Sequence, residues 1–201
     1  MTTDIVPDAV AEDSHGGHGE YHQDTAFQPR ANRIGLWMFI FSECFLFAAF
    51  LAARFYSTGT YRPEGLNQAL ALTLTMVLLV SSISAYLAEV SIKYNHRRNF
   101  KLFTIVTILL GFVFLAGVAV ELTEAIQHYP PETPYGTSYF MLIGLHAFHV
   151  FSGIVALFIV LFLGFRGHFG SSDYWGAEGV VKYWHFVDLA WVIIYPTLYL
   201  F

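Results

Sequence analysis

The apolar positions of this chain fall into five long blocks separated by short polar segments. The blocks run over residues 34–56, 66–90, 101–124, 138–165 and 180–201. A helix of about 20 apolar residues crosses the hydrocarbon core of a bilayer, and each block reaches that length. The connections between them contain the Pro and Gly that end helices. The pattern therefore predicts an all-α, polytopic membrane protein with five transmembrane helices in a single domain over residues 31–201.

The composition agrees with a membrane protein and excludes several other classes. Hydrophobic residues make up 56% of the chain and charged residues 12%, whereas a soluble domain carries about 25% charged residues. The sequence has no strongly basic segment that would bind nucleic acid. A single cysteine, Cys44, excludes an internal disulfide and a cluster of thiolate ligands.

The first 30 residues are polar, contain six of the fifteen acidic residues and are rich in His and Gly. They lack the basic start and apolar centre of a secretory signal. We predict a disordered, acidic cytoplasmic tail over residues 1–30. His15, His18 and His22 could hold a metal ion loosely, but solvated low-complexity sequence is the favoured interpretation.

Lys and Arg residues predict the orientation of the five spans, because positively charged loops stay on the cytoplasmic side. Placing the amino terminus in the cytoplasm leaves only Arg54 and Arg62 outside. The carboxyl terminus then lies outside, in the periplasm. The basic residues on the inner side are Arg30, Arg33, Lys93, Arg97, Arg98, Lys101, Arg166 and Lys182.

Glu43 is an acid within the first span. It lies nine residues after Ile34, about 14 Å along a helix and thus near the bilayer centre. An unpaired charge is costly at that depth, so we expect a neutral acid or one hydrogen-bonded to a neighbouring helix. Three roles stay open: a proton site, an acid that faces lipid, and a side chain that joins two helices.

Two further pairs of polar residues lie within the spans. Glu121 and Glu124 share one helix face at the outer end of the third span. A cation site is one interpretation, and a solvated helix end is the favoured one. His146 and His149 diverge around the fourth span, so we expect both rings to hydrogen-bond to helix neighbours rather than to hold haem. Close helix approach there is predicted from small residues, namely Gly144, Ala147, Ser152 and Gly153.

His185 and Asp188 stand at the start of the last span, about 60° apart around a helix. We predict that they lie near the inner membrane face and neutralise each other. Tyr183 and Trp184 are the amphipathic rings expected at headgroup depth. This inner-face cluster could tie helices together, hold a phospholipid headgroup or guide protons. Its neighbours in the prediction are Arg166, His168 and Lys182. A three-His metal site is not expected, because His185 would then lie across the membrane from the other two histidines.

Three segments carry a family resemblance: "RIGLWMFIFSECFLFAAF", "GLHAFHVFSG" and "YWHFVDLAWVIIYPTLY". Together they resemble subunit III of the haem-copper cytochrome c oxidases, in the family's order and over residues 30–201. Longer members of that family have seven spans. This chain resembles the short, five-span bacterial form that also occurs in quinol oxidases.

The resemblance implies a non-redox accessory subunit of the bacterial plasma membrane, without a catalytic residue or a haem or copper ligand of its own. It would pack with subunits I and II, which hold the haem and copper, also within a larger respiratory supercomplex. It would bind phospholipid in a cleft, support proton uptake and assist oxygen access. In the family's pattern Glu43 faces the lipid cleft, Arg166 lies near a lipid headgroup, and His185 and Asp188 form the "WHFVD" pair. His146 and His149 match the family's helix-packing histidines.

Other functions remain as alternatives. The chain could belong to a quinol oxidase, since the electron donor is not encoded in it. An independent proton or ion carrier would use Glu43, Glu121 and Glu124, but the sequence shows no inverted repeat. A haem-binding membrane anchor would need ligands from two helices. An intramembrane hydrolase is disfavoured, because no His is expected at the depth of the candidate nucleophiles: Ser42, Ser81, Ser82 and Ser84.

Overall fold

The computed structural model describes residues 27–60, 68–128, 130–170 and 174–200, with side chains from residue 31 onward. These residues form five α-helices, which confirms the all-α prediction. The helices are α1 Phe27–Thr58, α2 Gln68–Lys93, α3 Arg97–His128, α4 Pro134–Phe165 and α5 Trp175–Tyr199. Residues 27–30, which were assigned to the tail, belong to α1. The rest of the predicted tail and its histidines lie outside the described residues.

Helices α2 to α5 form a closed four-helix bundle, in which each helix packs against the next and α5 returns to α2. Helix α1 lies outside this ring and packs against α4 and α5. Large rings fill the centre of the bundle, including Trp184, Trp191 and Phe114. The described part of α1 buries few side chains, namely Ile40, Phe47 and Arg54. Most of its apolar surface therefore faces away from this chain.

Helices α4 and α5 begin earlier than the hydropathy pattern predicts. The Thr133 hydroxyl accepts a hydrogen bond from the Gly136 amide at 3.0 Å, and Pro134 occupies the first turn. A capping threonine followed by proline is a strong helix start. Helix α5 begins at Trp175, five residues before the predicted span. Residues expected at the mouth of the last span therefore lie deeper in the bundle.

Short turns reverse the chain between helices. Gly59, Asn95 and Gly167 follow the ends of α1, α2 and α4 with φ angles of 58°, 61° and 75°. Glycine and asparagine tolerate this left-handed conformation, which favours helix termination. The alternation brings the starts of α1, α3 and α5 to the same end as the termini of α2 and α4. We call this the basic end, because Arg33, Lys93, Arg97, Lys101, Arg166 and Lys182 lie towards it.

Four helices, α1 to α4, are long and apolar enough to cross a membrane. Helix α5, which is 25 residues long and carries Glu178, Lys182 and Asp188, is not among them. The chain is therefore a polytopic membrane protein.

Candidate functional site

Polar side chains from four helices lie near the middle of the bundle. Glu43 is sixteen residues after the start of α1, and His149 is fifteen residues after the start of α4. His185 lies ten residues into α5, about 15 Å from its start. Ser82 of α2 bonds to His185 at that level. We call these residues, with His146 and Asp188, the central polar layer.

Glu43 and His149 join α1 to α4. The Glu43 Oε2 atom is 3.0 Å from His149 Nε2, and His149 Nδ1 is 2.8 Å from the Leu145 carbonyl oxygen. A carbonyl only accepts, so Nδ1 carries the hydrogen. The Nε2 atom then accepts from a protonated Glu43 or, in an imidazolium, donates to its carboxylate. Both side chains are mostly buried, with 18% of Glu43 and 6% of His149 exposed.

His146 has a different environment from His149, which corrects the expectation that both rings hydrogen-bond to helix neighbours. It is fully buried, and neither ring nitrogen has a hydrogen-bond partner. Its ring centroid lies 4.9 Å from Trp191, 5.7 Å from Phe114 and 6.4 Å from Phe47. One helical turn from His149, the ring points into an aromatic centre that offers no conventional acceptor.

His185 and Asp188 do not neutralise each other, contrary to the sequence prediction. His185 Nδ1 instead lies 2.6 Å from the Ser82 hydroxyl oxygen of α2. Asp188 is buried, and neither of its carboxyl oxygens has a hydrogen-bond partner. The predicted depth is also wrong, because α5 starts earlier and places both residues near its midpoint.

This depth also removes the argument that His185 lies across the membrane from His146 and His149. Within the ranges that the structure describes, no group of three His, Cys, Asp or Glu side chains is placed to hold a metal ion. Ser82 has a His at its own level, which the hydrolase argument did not anticipate. The Asp188 oxygens make no hydrogen bond to the ring, so the three residues lack the geometry of a Ser-His-Asp triad.

Trp184 is a central packing residue and not an interfacial ring as predicted. It is fully buried, and its Nε1 atom donates to the Ser81 hydroxyl at 3.1 Å. A Cβ atom added at Gly111 or Gly153 would lie 2.9 Å or 2.8 Å from its ring. The two glycines thus provide the space for the indole between α3 and α4. Gly144 has no such neighbour, so its predicted role in close approach is wrong.

Tyr183 faces a cleft between α1 and the α4–α5 pair. Its hydroxyl oxygen lies 2.8 Å from the Ser152 hydroxyl. The cleft has a volume of about 400 Å³. Its lining consists of Asn32, Leu36, Phe39, Ser152, Ala156, Trp175, Gly176, Gly179, Val180 and Tyr183. The wall is mainly apolar. Its polar side chains are the hydroxyl pair of Ser152 and Tyr183 and, towards the basic end, Asn32.

A charged group stands at the mouth of this cleft. Glu178 forms an ion pair with Lys182 and a longer one, 3.7 Å, with Arg33. The two cations lie 5.4 Å and 5.3 Å from the Trp175 ring centroid. Lys182 is thus paired within the chain, and 30% of its side chain remains exposed.

Glu121 and Glu124 have different environments despite their spacing. Glu121 is buried and accepts hydrogen bonds from Tyr139, at 3.1 Å, and from Tyr199. Glu124 is exposed. The carboxyl group of Glu121 is therefore a link between α3, α4 and α5 at the end of the bundle opposite the basic end.

Arg166 lies apart from the central polar layer. It caps the carboxyl end of α4, seventeen residues after His149, a separation of about 25 Å along a helix. It is exposed, and its guanidinium lies 4.5 Å from the Phe162 ring centroid. The structure therefore does not bring Arg166 together with Glu43, His185 or Asp188.

Sequence reasoning missed two kinds of functional contact. Arg54 is fully buried, donates to Thr58 and to the Gly59 carbonyl oxygen at 2.7 Å, and lies 5.1 Å from the Tyr135 ring. Nothing in its local sequence separates it from an ordinary span-end arginine. The sequence offers Ser81 and Ser82 only as candidate nucleophiles and gives Thr75 no role, yet the hydroxyls of all three bond residues of α5. Thr75 and Ser82 lie seven residues apart, about two helical turns, and so share one face of α2, which was the available signal.

Comparison with known proteins identifies relatives over nearly the whole chain. The family profile described as Cytochrome c oxidase subunit III matches residues 6–201. Cytochrome c oxidase subunit 3 of Oryctolagus cuniculus is 33% identical over 204 residues, that of Dasypus novemcinctus 32% and that of Coturnix japonica 33%. Each alignment covers 96% of this chain and 76% of the relative. The chain therefore belongs to the cytochrome c oxidase subunit III family.

Proposed function

We propose that this chain is a non-redox accessory subunit of a terminal haem-copper oxidase, in a complex that reduces oxygen to water and pumps protons. The observation that carries the proposal is the family match over residues 6–201. Membership implies association with other oxidase subunits. In this proposal the partners are the catalytic subunit I and subunit II, also within a respiratory supercomplex, and they hold the haem and copper. The weakly buried α1 offers an apolar face to such partners.

The proposed role of the chain is to stabilise the catalytic subunit and support its proton uptake. The link between Glu43 and His149 supports a structural part in this role, since it joins α1 to α4 near the middle of both helices. A buried acid that is bonded to an imidazole is also suited to hold a proton. A role in oxygen access is part of the same proposal, through an apolar groove of about 150 Å³. The groove is lined by residues of α1 and α5, among them Phe47, Leu51, Phe186 and Ile193.

We propose that all five helices cross a bacterial plasma membrane with the basic end in the cytoplasm. The concentration of Lys and Arg at that end supports this orientation. Helix α5 would cross because its three charged residues lie at the cleft mouth or inside the bundle, while Leu189 and Ile193 face outward. A membrane-impermeant thiol reagent tests the orientation in a Cys44→Ser background. A cysteine at residue 95 should be protected in intact cells, and one at residue 132 should react; the reverse would overturn the orientation.

We propose that a phospholipid occupies the cleft beside Tyr183. The apolar lining suits an acyl chain. At the mouth two cations, Arg33 and Lys182, face the single carboxylate of Glu178, so a positive charge remains for a phosphate. Gly179→Phe should fill the cleft, because a Cβ atom there meets only Leu36, at 3.8 Å. Lipid analysis of the purified complex should then show fewer tightly bound phospholipids per oxidase. Gly144→Phe is the control, because Gly144 lies on α4, outside the cleft lining, and also has open space around it. Equal lipid content in both variants and the wild type would contradict this proposal.

The decisive experiment for the accessory role is removal of the chain from the oxidase. Oxygen consumption by the remaining complex should begin at a similar rate and then decline during turnover, with slower proton uptake. Adding the purified chain back should restore both. A complex without the chain that keeps its stability, pumping and lipid content would overturn the proposal.

Two other functions are separated from this one by direct measurements. A quinol oxidase partner would lack a dicopper site in the neighbouring subunit, which metal analysis of the complex detects. An independent ion carrier would conduct when the chain alone is reconstituted in vesicles. The fold gives no support to a carrier, because none of α1 to α4 is interrupted near its middle.

A further inference from the structure

The seam between α2 and α5 holds three polar groups, Ser82, His185 and Asp188, that the contacts described so far do not explain. Hydrogen bonds tie the two helices together along this seam, from Trp191 to Thr75 at 3.0 Å and from Trp184 to Ser81. Asp188 sits between these ties. Its side chain is 4% exposed, and both carboxyl oxygens lack a hydrogen-bond partner. None of the ion pairs among the described residues includes Asp188 or His185.

Burial restricts the form that Asp188 can take. A bare carboxylate without hydrogen-bond donors is energetically unfavourable in the interior of a membrane protein, because no water or partner replaces its hydration. A neutral acid avoids that cost and gains one O–H donor. The neutral acid is therefore the form that fits the resting structure.

Ser82 is a neighbour of both titratable groups. Its hydroxyl oxygen is 2.6 Å from His185 Nδ1, and it also lies close to the Asp188 carboxyl, although no hydrogen bond of ordinary geometry joins them. A serine hydroxyl has one proton and two lone pairs. When that proton is donated to His185, the serine can only accept from Asp188. Hydrogen donation among the three groups therefore runs in one direction, from Asp188 to Ser82 and from Ser82 to His185.

We propose that Asp188, Ser82 and His185 form a proton-binding site in which Asp188 stores the proton and Ser82 relays it to His185. In the relay the Asp188 O–H bond breaks as Ser82 Oγ accepts that proton, while the original Ser82 proton passes to His185 Nδ1. The products are an Asp188 carboxylate, a serine hydroxyl and an imidazolium, so protons and charge balance. This deepens the proposed function, on which its biological meaning rests, by naming a site for protons.

The site has an exit on the outer surface of the bundle. His185 is half-buried, and Leu189, one turn further along α5, is 60% exposed. The imidazole therefore stands between the buried acid and the outer surface of the seam, where a partner subunit or water can exchange a proton with Nε2. The site shares no residue with the Glu43–His149 pair, which lies between α1 and α4.

Infrared spectroscopy of the purified oxidase complex tests the site directly, because it detects a protonated carboxyl group and does not require the complex to be turning over oxygen. A protonated carboxyl group gives a C=O band that shifts when its proton exchanges with deuterium. Asp188→Asn should remove one such band, and ¹³C-labelled aspartate should shift it. Ser82→Ala should slow the deuterium exchange of this band by about 100-fold, the low end of the effect of a positioned proton-transfer group.

Ser81→Ala is the matched control, because it removes a neighbouring hydroxyl at the same seam and leaves Ser82 in place. It should leave the exchange rate unchanged, and Ser82→Thr should restore it. If Asp188→Asn does not assemble, the ¹³C shift still shows that the band belongs to an aspartic acid, and a slowed exchange in Ser82→Ala but not in Ser81→Ala assigns it to the carboxyl beside Ser82. A wild-type complex without an aspartic acid band, or equal exchange in the two alanine variants, would overturn the proposal. Neither result depends on the oxygen-consumption experiment, so the accessory role can stand or fail separately.

Discussion

Two histidines in the middle of this bundle, His146 and His149, differ in their hydrogen bonding although they are the same type of residue. His149 is bonded at both ring nitrogens, to Glu43 and to its own helix. His146, one turn earlier, is enclosed by aromatic rings without a polar partner. Leaving a buried polar group unpaired costs about 1–3 kcal/mol. His149 is therefore a stabilising link, whereas His146 is a residue that the fold retains at a cost.

Glu43→Gln should assemble normally, because the amide can keep the hydrogen bond to His149 Nε2, through its NH₂ group to a neutral ring or through its oxygen to an imidazolium. Glu43→Leu should leave that nitrogen unpaired and lower the stability of the complex by about 1–3 kcal/mol. Thermal unfolding of the purified complex measures both. The double variant Glu43→Leu/His149→Leu should recover much of the loss, since removing both partners is less costly than removing one. Additive losses would show that the hydrogen bond is not the source of the effect.

Helix packing depends on where glycine meets a large ring. On α4, Gly153 faces Trp184, whose ring would lie 2.8 Å from an added Cβ atom, whereas Gly144 faces nothing within 4 Å. The indole is also held by its hydrogen bond to Ser81, so it cannot move freely away. Close approach of α4 and α5 therefore depends on one of the two glycines.

Gly153→Ala should destabilise the bundle by about 1–3 kcal/mol, the usual cost of overpacking a filled core. Gly144→Ala is the control on the same helix and should be neutral or stabilising by up to about 1 kcal/mol, because alanine favours helix. The comparison of thermal midpoints isolates the contact with Trp184. Equal effects of the two substitutions would contradict the packing account.

At the scale of the whole molecule, the end opposite the basic end joins the helices through polar contacts. Glu121 of α3 bonds to Tyr139 of α4 and Tyr199 of α5. The Tyr199 carbonyl oxygen accepts from Gln68 of α2 at 2.9 Å. The Tyr135 hydroxyl donates to the Leu198 carbonyl oxygen at 3.1 Å. This junction closes the four-helix ring at one end, while the ion pair between Glu178 of α5 and Arg33 links α1 to the bundle at the other.

Tyr199→Phe should lower the stability of the complex by about 1–3 kcal/mol, because it removes a donor to the buried carboxyl of Glu121. Tyr195→Phe removes a hydroxyl from the same helix, and its ring stacks on Tyr199 at a centroid distance of 5.4 Å. It should have little effect. Hydrogen exchange at the ends of α3 to α5 should rise only in the Tyr199 variant. Similar exchange in both variants would show that the junction does not hold the helix ends.

The sequence by itself determined the helical membrane fold and the family, because long apolar blocks and three extended motifs are properties of the linear chain. It also indicated that Glu43 needs a partner, since an acid at that depth is costly alone. It misplaced Trp184, His185 and Asp188, because an early start of α5 shifts every later residue towards the middle of the bundle.

Only the tertiary structure decided which polar groups meet. Hydropathy does not distinguish His146 from His149. Their different angles around α4 place the ring of His149 against Glu43 and the ring of His146 in an aromatic core. Ser82 hydrogen-bonds to His185, a residue more than 100 positions away in the chain, and the sequence around Ser82 does not indicate this partner. Contacts of that kind depend on the pairing and rotation of helices, which packing sets and the local sequence does not record.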